Sequence, residues 1–141
     1  MKNISASDFD ASGLAFDSNE MARGLRRWVE QESPSYDPAA VEAMLALAAR
    51  EMALLGAEVQ HIAGTGGFAG CVKATFPHPS RGQPGILIAG HMDTVHPVGT
   101  LDHFGWREEG ELCFGPGVLD MKAGNYLSVE AIRQLQKIGY T

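Results

Sequence analysis

The sequence predicts an α/β fold. Helical patterns at 17–32, 37–56 and 120–139 are interspersed with strand-like segments, in the order helix, helix, strands, hairpin, helix. A short apolar run at 86–89, flanked by glycines, predicts a buried central strand at 85–91. The 141 residues are enough for one domain with a real core.

Composition and charge restrict the classes of function. A net charge of −6 argues against nucleic acid and anionic membrane surfaces as partners. No apolar run approaches the ~20 residues of a membrane span, and residues 1–20 lack a signal-peptide pattern, so a cytoplasmic location is expected. Residues 1–16 are predicted to be a flexible lead-in and 17–141 the folded domain. Cys71 and Cys113 provide no disulfide framework and are predicted to be buried free thiols.

The first two helices have clear start and stop signals. Asp17 or Ser18 is a good N-cap for a helix running to about Glu32. Asp37, followed by a proline, starts the second helix, and Gly56 ends it. The predicted apolar faces consist of Met21, Leu25, Trp28 and Val29 in the first helix, and of Val41, Met44, Leu45, Ala48, Met52 and Leu55 in the second.

Two further pairs of segments are predicted to be strands. Segments 57–62 and 68–76 flank a glycine-rich turn at 64–67. That turn does not fit a dinucleotide-binding loop, because a strand pattern rather than a helix follows it. Segments 106–109 and 111–114 form a predicted tight hairpin.

His91 and Asp93 follow the apolar run at 86–89. Because side chains alternate along a strand, these two residues are expected to point the same way. Functional sites collect beyond the carboxyl ends of strands in α/β folds. A carboxylate beside a histidine can also orient a metal-binding imidazole. The alternative is that both side chains simply face solvent.

Asp120 follows a Gly-Pro-Gly loop at 115–117, where the last helix is predicted to begin. Alone, Asp120 is explained as an N-cap. Lys122 lies in the first helical turn, where the helix dipole opposes a cation, which predicts a nearby anion. The predicted apolar stripe of this helix consists of Leu127, Ala131, Leu135 and Ile138.

Two sequences carry a family resemblance: Gly-His-Met-Asp-Thr-Val at 90–95 and Gly-Pro-Gly-Val-Leu-Asp-Met-Lys-Ala-Gly at 115–124. In this order they resemble the zinc exopeptidases of the glutamate carboxypeptidase type. That family includes acetylornithine deacetylase, succinyl-diaminopimelate desuccinylase and the aminoacylase and dipeptidase branches. The Glu-Ser-Pro-Ser at 32–35 fits the family's usual start, and the Gly-Pro-Gly loop resembles the glutamate carboxypeptidase branch. The resemblance, over 28–139, implies the N-terminal portion of a mixed-sheet catalytic domain with helices on both faces.

The resemblance implies roles for three residues. His91 would be a terminal ligand of one zinc ion, and Asp93 would orient that imidazole as part of the catalytic machinery. Asp120 would bridge two zinc ions, or other divalent metals such as Co²⁺, and the Asp120–Met121 peptide bond would be cis. A pair of zinc ions activates water and polarises an amide carbonyl.

The remaining ligands are expected beyond this sequence. Two bridged zinc ions need about five protein donors, and the resemblance matches only His91 and Asp120. The family's general base and further ligands lie later, beginning with a Glu-Glu pair. Glu108-Glu109 does not replace that pair, because it precedes Asp120 and flanks a hairpin turn. His96 and His103 are secondary candidates for ligands.

These observations predict a zinc-dependent exopeptidase or N-acyl amino acid amidohydrolase. The complete enzyme would cleave the amide of a small peptide or N-acyl amino acid next to a free carboxylate, and a homodimer is one possible assembly. The 141 residues alone are predicted to be inactive. One alternative is a non-catalytic remnant that binds metal weakly or pairs with another chain. Another is an α/β domain in which His91, Asp93 and Asp120 are structural.

Overall fold

The computed structural model describes residues 10–78 and 82–139, which contain three α-helices and two small antiparallel sheets. This composition agrees with the predicted α/β class. In chain order the elements are α1 (Ser18–Glu30), α2 (Pro38–Leu54), β1 (Glu58–Ile62), β2 (Cys71–Thr75), β3 (Arg107–Glu109), β4 (Leu112–Phe114) and α3 (Ala123–Lys137). No helix within the described ranges is long and apolar enough to cross a membrane. Most of the predicted lead-in, 1–9, lies outside the described residues, so the proposed domain boundary stays a prediction.

The starts of α1 and α2 are those that the sequence predicts. The Asp17 carboxylate accepts hydrogen bonds from the backbone N–H groups of Asn19 and Glu20, at 2.9 and 3.0 Å. The Asp37 carboxylate accepts one from Ala40 N–H at 3.0 Å. Each aspartate thus satisfies backbone donors that a helix N-terminus leaves without an intrahelical partner.

The core lies where α1, α2 and α3 meet. Its buried centre contains Trp28, Met44, Ala48, Tyr126 and Val129. The rings of Trp28 and Tyr126 pack edge to face with centroids 5.4 Å apart, a favourable geometry for an aromatic pair. The apolar faces predicted for α1 and α2 contribute Trp28 and Met44 to this core and are confirmed.

The apolar stripe predicted for α3 is wrong. The buried face consists of Asn125, Tyr126, Val129, Glu130 and Gln134, whereas Leu127 is half exposed. Buried polar groups are tolerated when they are hydrogen-bonded. Gln134 Nε2 donates to Glu130 Oε1 at 2.6 Å, so α3 can turn a partly polar face inward.

The predicted hairpins are present, but both sheets are small and open. β1 pairs with β2 from Glu58↔Thr75 to Ile62↔Cys71, and β3 pairs with β4 from Arg107↔Phe114. Cys71 and Cys113 are free thiols. Cys71 is exposed and Cys113 is half-buried, so the prediction of buried thiols is wrong, because neither two-stranded sheet encloses its cysteine.

The predicted buried strand at 85–91 is not formed within the described part of the chain. Ile86 and Leu87 are 95% and 89% exposed, and Ile88 is 58% exposed. Burial of an apolar strand requires neighbouring strands and covering layers, and the described residues place none around this segment. Pairing begins only beyond the predicted strand, where Thr94 forms a parallel bridge with Pro34.

Candidate metal centre

Two side chains from distant elements hold the backbone that carries His91. Asn125 Nδ2, in α3, donates to the His91 carbonyl at 2.6 Å. Ser33 Oγ, just after α1, donates to the Met92 carbonyl at 2.7 Å. Gly90 makes this approach possible, because a Cβ atom there would lie 2.1 Å from Asn125 Oδ1. The segment is therefore anchored from both sides, although its apolar residues are exposed.

The His91 imidazole lies between two carboxylates. Its Nε2 is 3.0 Å from Asp120 Oδ1. Its Nδ1 is 3.2 Å from Asp93 Oδ1 and 3.1 Å from the Asp93 carbonyl oxygen. The structure thus brings together the three residues singled out from the sequence, with Asp93 behind the imidazole and Asp120 in front of it.

Asp120 is not a helix cap. It lies in the turn Val118–Lys122 with extended backbone angles, φ −128° and ψ 95°. α3 begins only at Ala123, and its N-cap residue is Lys122, whose side chain makes no capping bond. The simple N-cap explanation is therefore wrong, and the Asp120 carboxylate is directed to His91 instead. The Asp120–Met121 peptide bond is cis, as the family resemblance suggested.

Gly117 allows the loop before Asp120 to approach the His91 segment closely. Its φ of +71° is in the left-handed region, which favours glycine. A Cβ atom at this position would lie 2.6 Å from Thr94 Cγ2. A side chain at residue 117 would push the two segments apart.

An open cleft of about 210 Å³ lies over these residues. Its lining includes Ser35, His91, Asp93, His96 and Asp120. Asp120 projects into it, with 84% of its side chain exposed.

The surroundings of His91 and Asp93, which both line the cleft, shift their pKa values. The hydrogen bond with Asp120 is the main reason that the pKa of His91 is raised, against the opposing effect of burial. Burial favours the neutral form of Asp93, but hydrogen bonds, among them that from Ser35, and the charge of His91 outweigh it. The pKa of Asp93 is therefore lowered, which keeps a negative charge next to the imidazole.

Lys122 joins the Asp120 turn to the end of α1. It is 1% exposed, and its Nζ donates to the carbonyl oxygens of Trp28 and Gln31 at 2.9 and 2.6 Å. These hydrogen bonds go to carbonyl groups, and the nearby anion that the sequence predicts is the carboxylate of Glu32. The carboxylate of Glu32 adds a favourable charge, yet burial dominates and lowers the pKa of Lys122 to about 8.

Glu32 holds a second loop near the cleft. Its carboxylate accepts hydrogen bonds from the N–H groups of Gly99 and Leu101, at 2.8 and 3.0 Å. These bonds, that from Gly99 foremost, lower the pKa of Glu32. From the sequence, the Glu-Ser-Pro-Ser at 32–35 is only a feature of the family resemblance, and the contacts of Glu32, Ser33 and Ser35 are not predicted. No local signal reveals them, because each partner lies more than fifty residues away.

Of the other residues considered as metal ligands, only one histidine lines the cleft within the described part of the chain. His96 lines the cleft. His103 lies at the end of the turn Thr100–Asp102, outside the cleft lining. Glu108 accepts from Trp106 Nε1 at 2.9 Å and Glu109 from Arg107 Nε at 2.7 Å, which agrees with their rejection as ligands.

The donors present fit part of a zinc site. An imidazole nitrogen and a carboxylate oxygen converge in an open cleft, and both are common zinc ligands. Over 10–78 and 82–139, however, no group of three or more His, Cys, Asp or Glu side chains is placed to hold a metal ion. A catalytic zinc needs three protein ligands, so His91 and Asp120 are an incomplete set.

A known protein family matches the segment that contains this site. Residues 87–141, which contain His91, Asp93 and Asp120, match peptidase family M20/M25/M40. This segment carries the sequence pattern of that family. The matched segment thus includes every residue that the sequence nominated for the zinc site.

Two relatives support the assignment. The chain is 37% identical over 59 residues to carboxypeptidase G2 from Pseudomonas sp. (strain RS-16), which covers 42% of this chain and 14% of the relative. It is 32% identical over 69 residues to succinyl-diaminopimelate desuccinylase from Anaplasma marginale (strain Florida), which covers 48% of this chain and 18% of the relative. The chain therefore matches less than a fifth of the length of either enzyme.

A solved structure supports the fold. The crystal structure of human carnosine dipeptidase 1 superimposes with a TM-score of 0.69 and 20% sequence identity, over 88% of this chain and 30% of that one. At this identity the likeness establishes the fold alone.

Proposed function

We propose that this chain carries part of the metal site of a zinc-dependent hydrolase. The substrate class is a small peptide or N-acyl amino acid, cleaved at an amide next to a free carboxylate. Support for the metal site comes from the convergence of His91 Nε2 and Asp120 Oδ1 within 3.0 Å in the cleft. One relative is named a carboxypeptidase and the other a desuccinylase, so their names support either carboxypeptidase or amidohydrolase chemistry. The Gly-Pro-Gly loop favours the glutamate carboxypeptidase type.

Each of the three residues has a distinct part in this proposal. His91 would bind zinc through Nε2, and Asp120 would bind through its carboxylate. Asp93 would accept a hydrogen bond from His91 Nδ1–H, which leaves the lone pair of Nε2 free for the metal. Bound zinc would supply Lewis-acid activation of water and of the amide carbonyl.

We expect His91→Ala to weaken zinc binding to the 141-residue chain strongly. Loss of a residue that only supports a ligand costs about 10–100-fold in metal affinity, and loss of the ligand itself should cost more. The substitution removes one of two converging donors. Calorimetry or competition with a chromophoric chelator measures the affinity. His61→Ala is the matched control, because His61 pairs with Glu42 at 2.8 Å, outside the cleft lining. Equal zinc affinities for His91→Ala and the unsubstituted chain would contradict the proposal.

We also expect the 141-residue chain alone not to hydrolyse N-acylated glutamate. Within the described residues the cleft contains only two converging metal donors and no identified general base. Incubation with zinc and chromatographic detection of released glutamate measures the activity. Hydrolysis that a chelator abolishes would refute this expectation while supporting the metal site.

A non-catalytic interaction module is the second candidate function. The exposed apolar side chains of Ile86, Leu87 and Ile88 favour it, because an unpaired apolar segment can pair with another chain. Concentration-dependent association of the purified chain, lost in Leu87→Lys, would support this alternative. The possible homodimer and the cytoplasmic location of the whole protein stay predictions.

A further inference from the structure

We infer that Ser35 is a positioning residue for the metal site, an inference that rests on the proposed function. Its hydroxyl fixes the Asp93 carboxylate, and through it the tautomer and orientation of His91. Ser35 Oγ lies 2.5 Å from Asp93 Oδ2, whereas Asp93 Oδ1 faces His91 Nδ1 at 3.2 Å. The two oxygens of one carboxylate thus join the serine to the imidazole.

The backbone around Ser35 makes this contact reproducible. Thr94 N–H donates to the Ser33 carbonyl at 2.8 Å, and Ser35 N–H donates to the Thr94 carbonyl at 3.0 Å. These two bonds form the parallel bridge that holds the serine segment against the Asp93 backbone. The position of Ser35 is therefore fixed independently of its side chain, so removal of the hydroxyl alone should leave the bridge intact.

The hydroxyl of Ser35 has one proton and two acceptors within reach. Asp93 Oδ2 is at 2.5 Å, and the Thr94 carbonyl is at 3.3 Å. The shorter contact is to the charged acceptor, and hydrogen bonds to ionised groups are the stronger ones. The proton is therefore assigned to the Asp93 carboxylate.

Two carboxylates compete for the single proton of neutral His91. Asp93 faces Nδ1 with its carboxylate at 3.2 Å and its carbonyl oxygen at 3.1 Å, and Asp120 faces Nε2 at 3.0 Å. The Asp120 side chain is 84% exposed, whereas that of Asp93 is 36% exposed. Water weakens a hydrogen bond to the more exposed carboxylate. A fixed Asp93 thus places the proton on Nδ1 and leaves Nε2 available to a metal ion, as the proposed ligand role requires.

The test compares Ser35→Ala, Ser35→Thr and the matched control Ser128→Ala, whose hydroxyl bonds to the Gly124 carbonyl within α3. Long-range ¹H–¹⁵N spectra of the metal-free chain, at a pH above the His91 pKa, report the tautomer. We expect mainly the Nδ1–H form in the unsubstituted chain and Ser128→Ala. In Ser35→Ala we expect a partial shift toward Nε2–H, because the Asp93 carbonyl oxygen still faces Nδ1 at 3.1 Å. Ser35→Thr keeps the hydroxyl and is expected to restore the Nδ1–H form.

Zinc affinity is the second measurement on the same variants. We expect Ser35→Ala to weaken it about tenfold, the lower end of the effect of outer-sphere partners, and Ser35→Thr to restore it. An unchanged tautomer ratio in Ser35→Ala would overturn the positioning role. If the unsubstituted chain binds no zinc, the proposed function fails, yet the tautomer ratio still decides the role of Ser35.

Discussion

Replacement of Lys122 with methionine is expected to destabilise the protein more strongly at pH 10 than at pH 7. The ammonium group is buried, and its pKa is lowered from 10.5 to about 8. The unfolded chain therefore binds more protons than the folded one between pH 8 and 10.5, so the stability of the unsubstituted protein rises with pH in that window. Below pH 8 the folded protein bears the full cost of a buried charge.

The size of the effect follows from the two pKa values. A difference of about 2.5 pH units, at about 1.4 kcal/mol per unit, corresponds to about 3–4 kcal/mol, of which most is gained by pH 10. Methionine has no charge to bury, but it leaves the carbonyl oxygens of Trp28 and Gln31 without their donor, at about 1–3 kcal/mol each. The two effects oppose one another at pH 7, and only the loss of hydrogen bonds remains at pH 10.

Urea unfolding at several pH values measures the difference between the two proteins. Lys73→Met is the matched control, because Lys73 is an exposed lysine in β2. We expect the free-energy difference for Lys122→Met to widen by about 3 kcal/mol from pH 7 to pH 10, and that for Lys73→Met to stay constant. Parallel pH curves for Lys122→Met and the unsubstituted chain would show that the ammonium is not buried as described.

Local chemistry explains what could be predicted from the sequence. Asp17 and Asp37 cap helices because the donors that they satisfy lie within three residues. His91 and Asp93 are two residues apart, so their proximity follows from local backbone geometry. The approach of Asp120 to His91 was expected only through the family resemblance, since 29 residues separate them.

Long-range contacts explain what could not be predicted. Lys122 reaches Trp28 across 94 residues, and Ser35 reaches Asp93 across 58. Lysine and serine patterns contain no information about such partners. The run at 86–89 shows the same limit, because apolar composition predicts burial only where other elements cover the segment.

Asp120→Asn is expected to lower the pKa of His91. The hydrogen bond with Asp120 is the largest cause of the raised pKa, and burial is the largest opposing effect. A neutral asparagine cannot stabilise the imidazolium as a carboxylate does. NMR titration of the His91 ring protons in the metal-free chain measures the change, with Asp102→Asn, at an exposed position in the turn Thr100–Asp102, as control.

The same substitution separates two effects on zinc binding. Only neutral imidazole binds a metal ion. As the pH is lowered, zinc affinity falls once His91 becomes protonated. Because the pKa of His91 is raised, this fall begins at a higher pH than it would for a histidine with the ordinary pKa of about 6.5. In Asp120→Asn the zinc affinity at high pH should be at least about tenfold weaker, a loss no smaller than that caused by removing an outer-sphere partner. As the pH is lowered, the affinity should also begin to fall at a lower pH than in the unsubstituted chain. A weaker plateau with an unchanged midpoint would mean that Asp120 binds zinc without controlling His91. An unchanged plateau would remove Asp120 from the metal site.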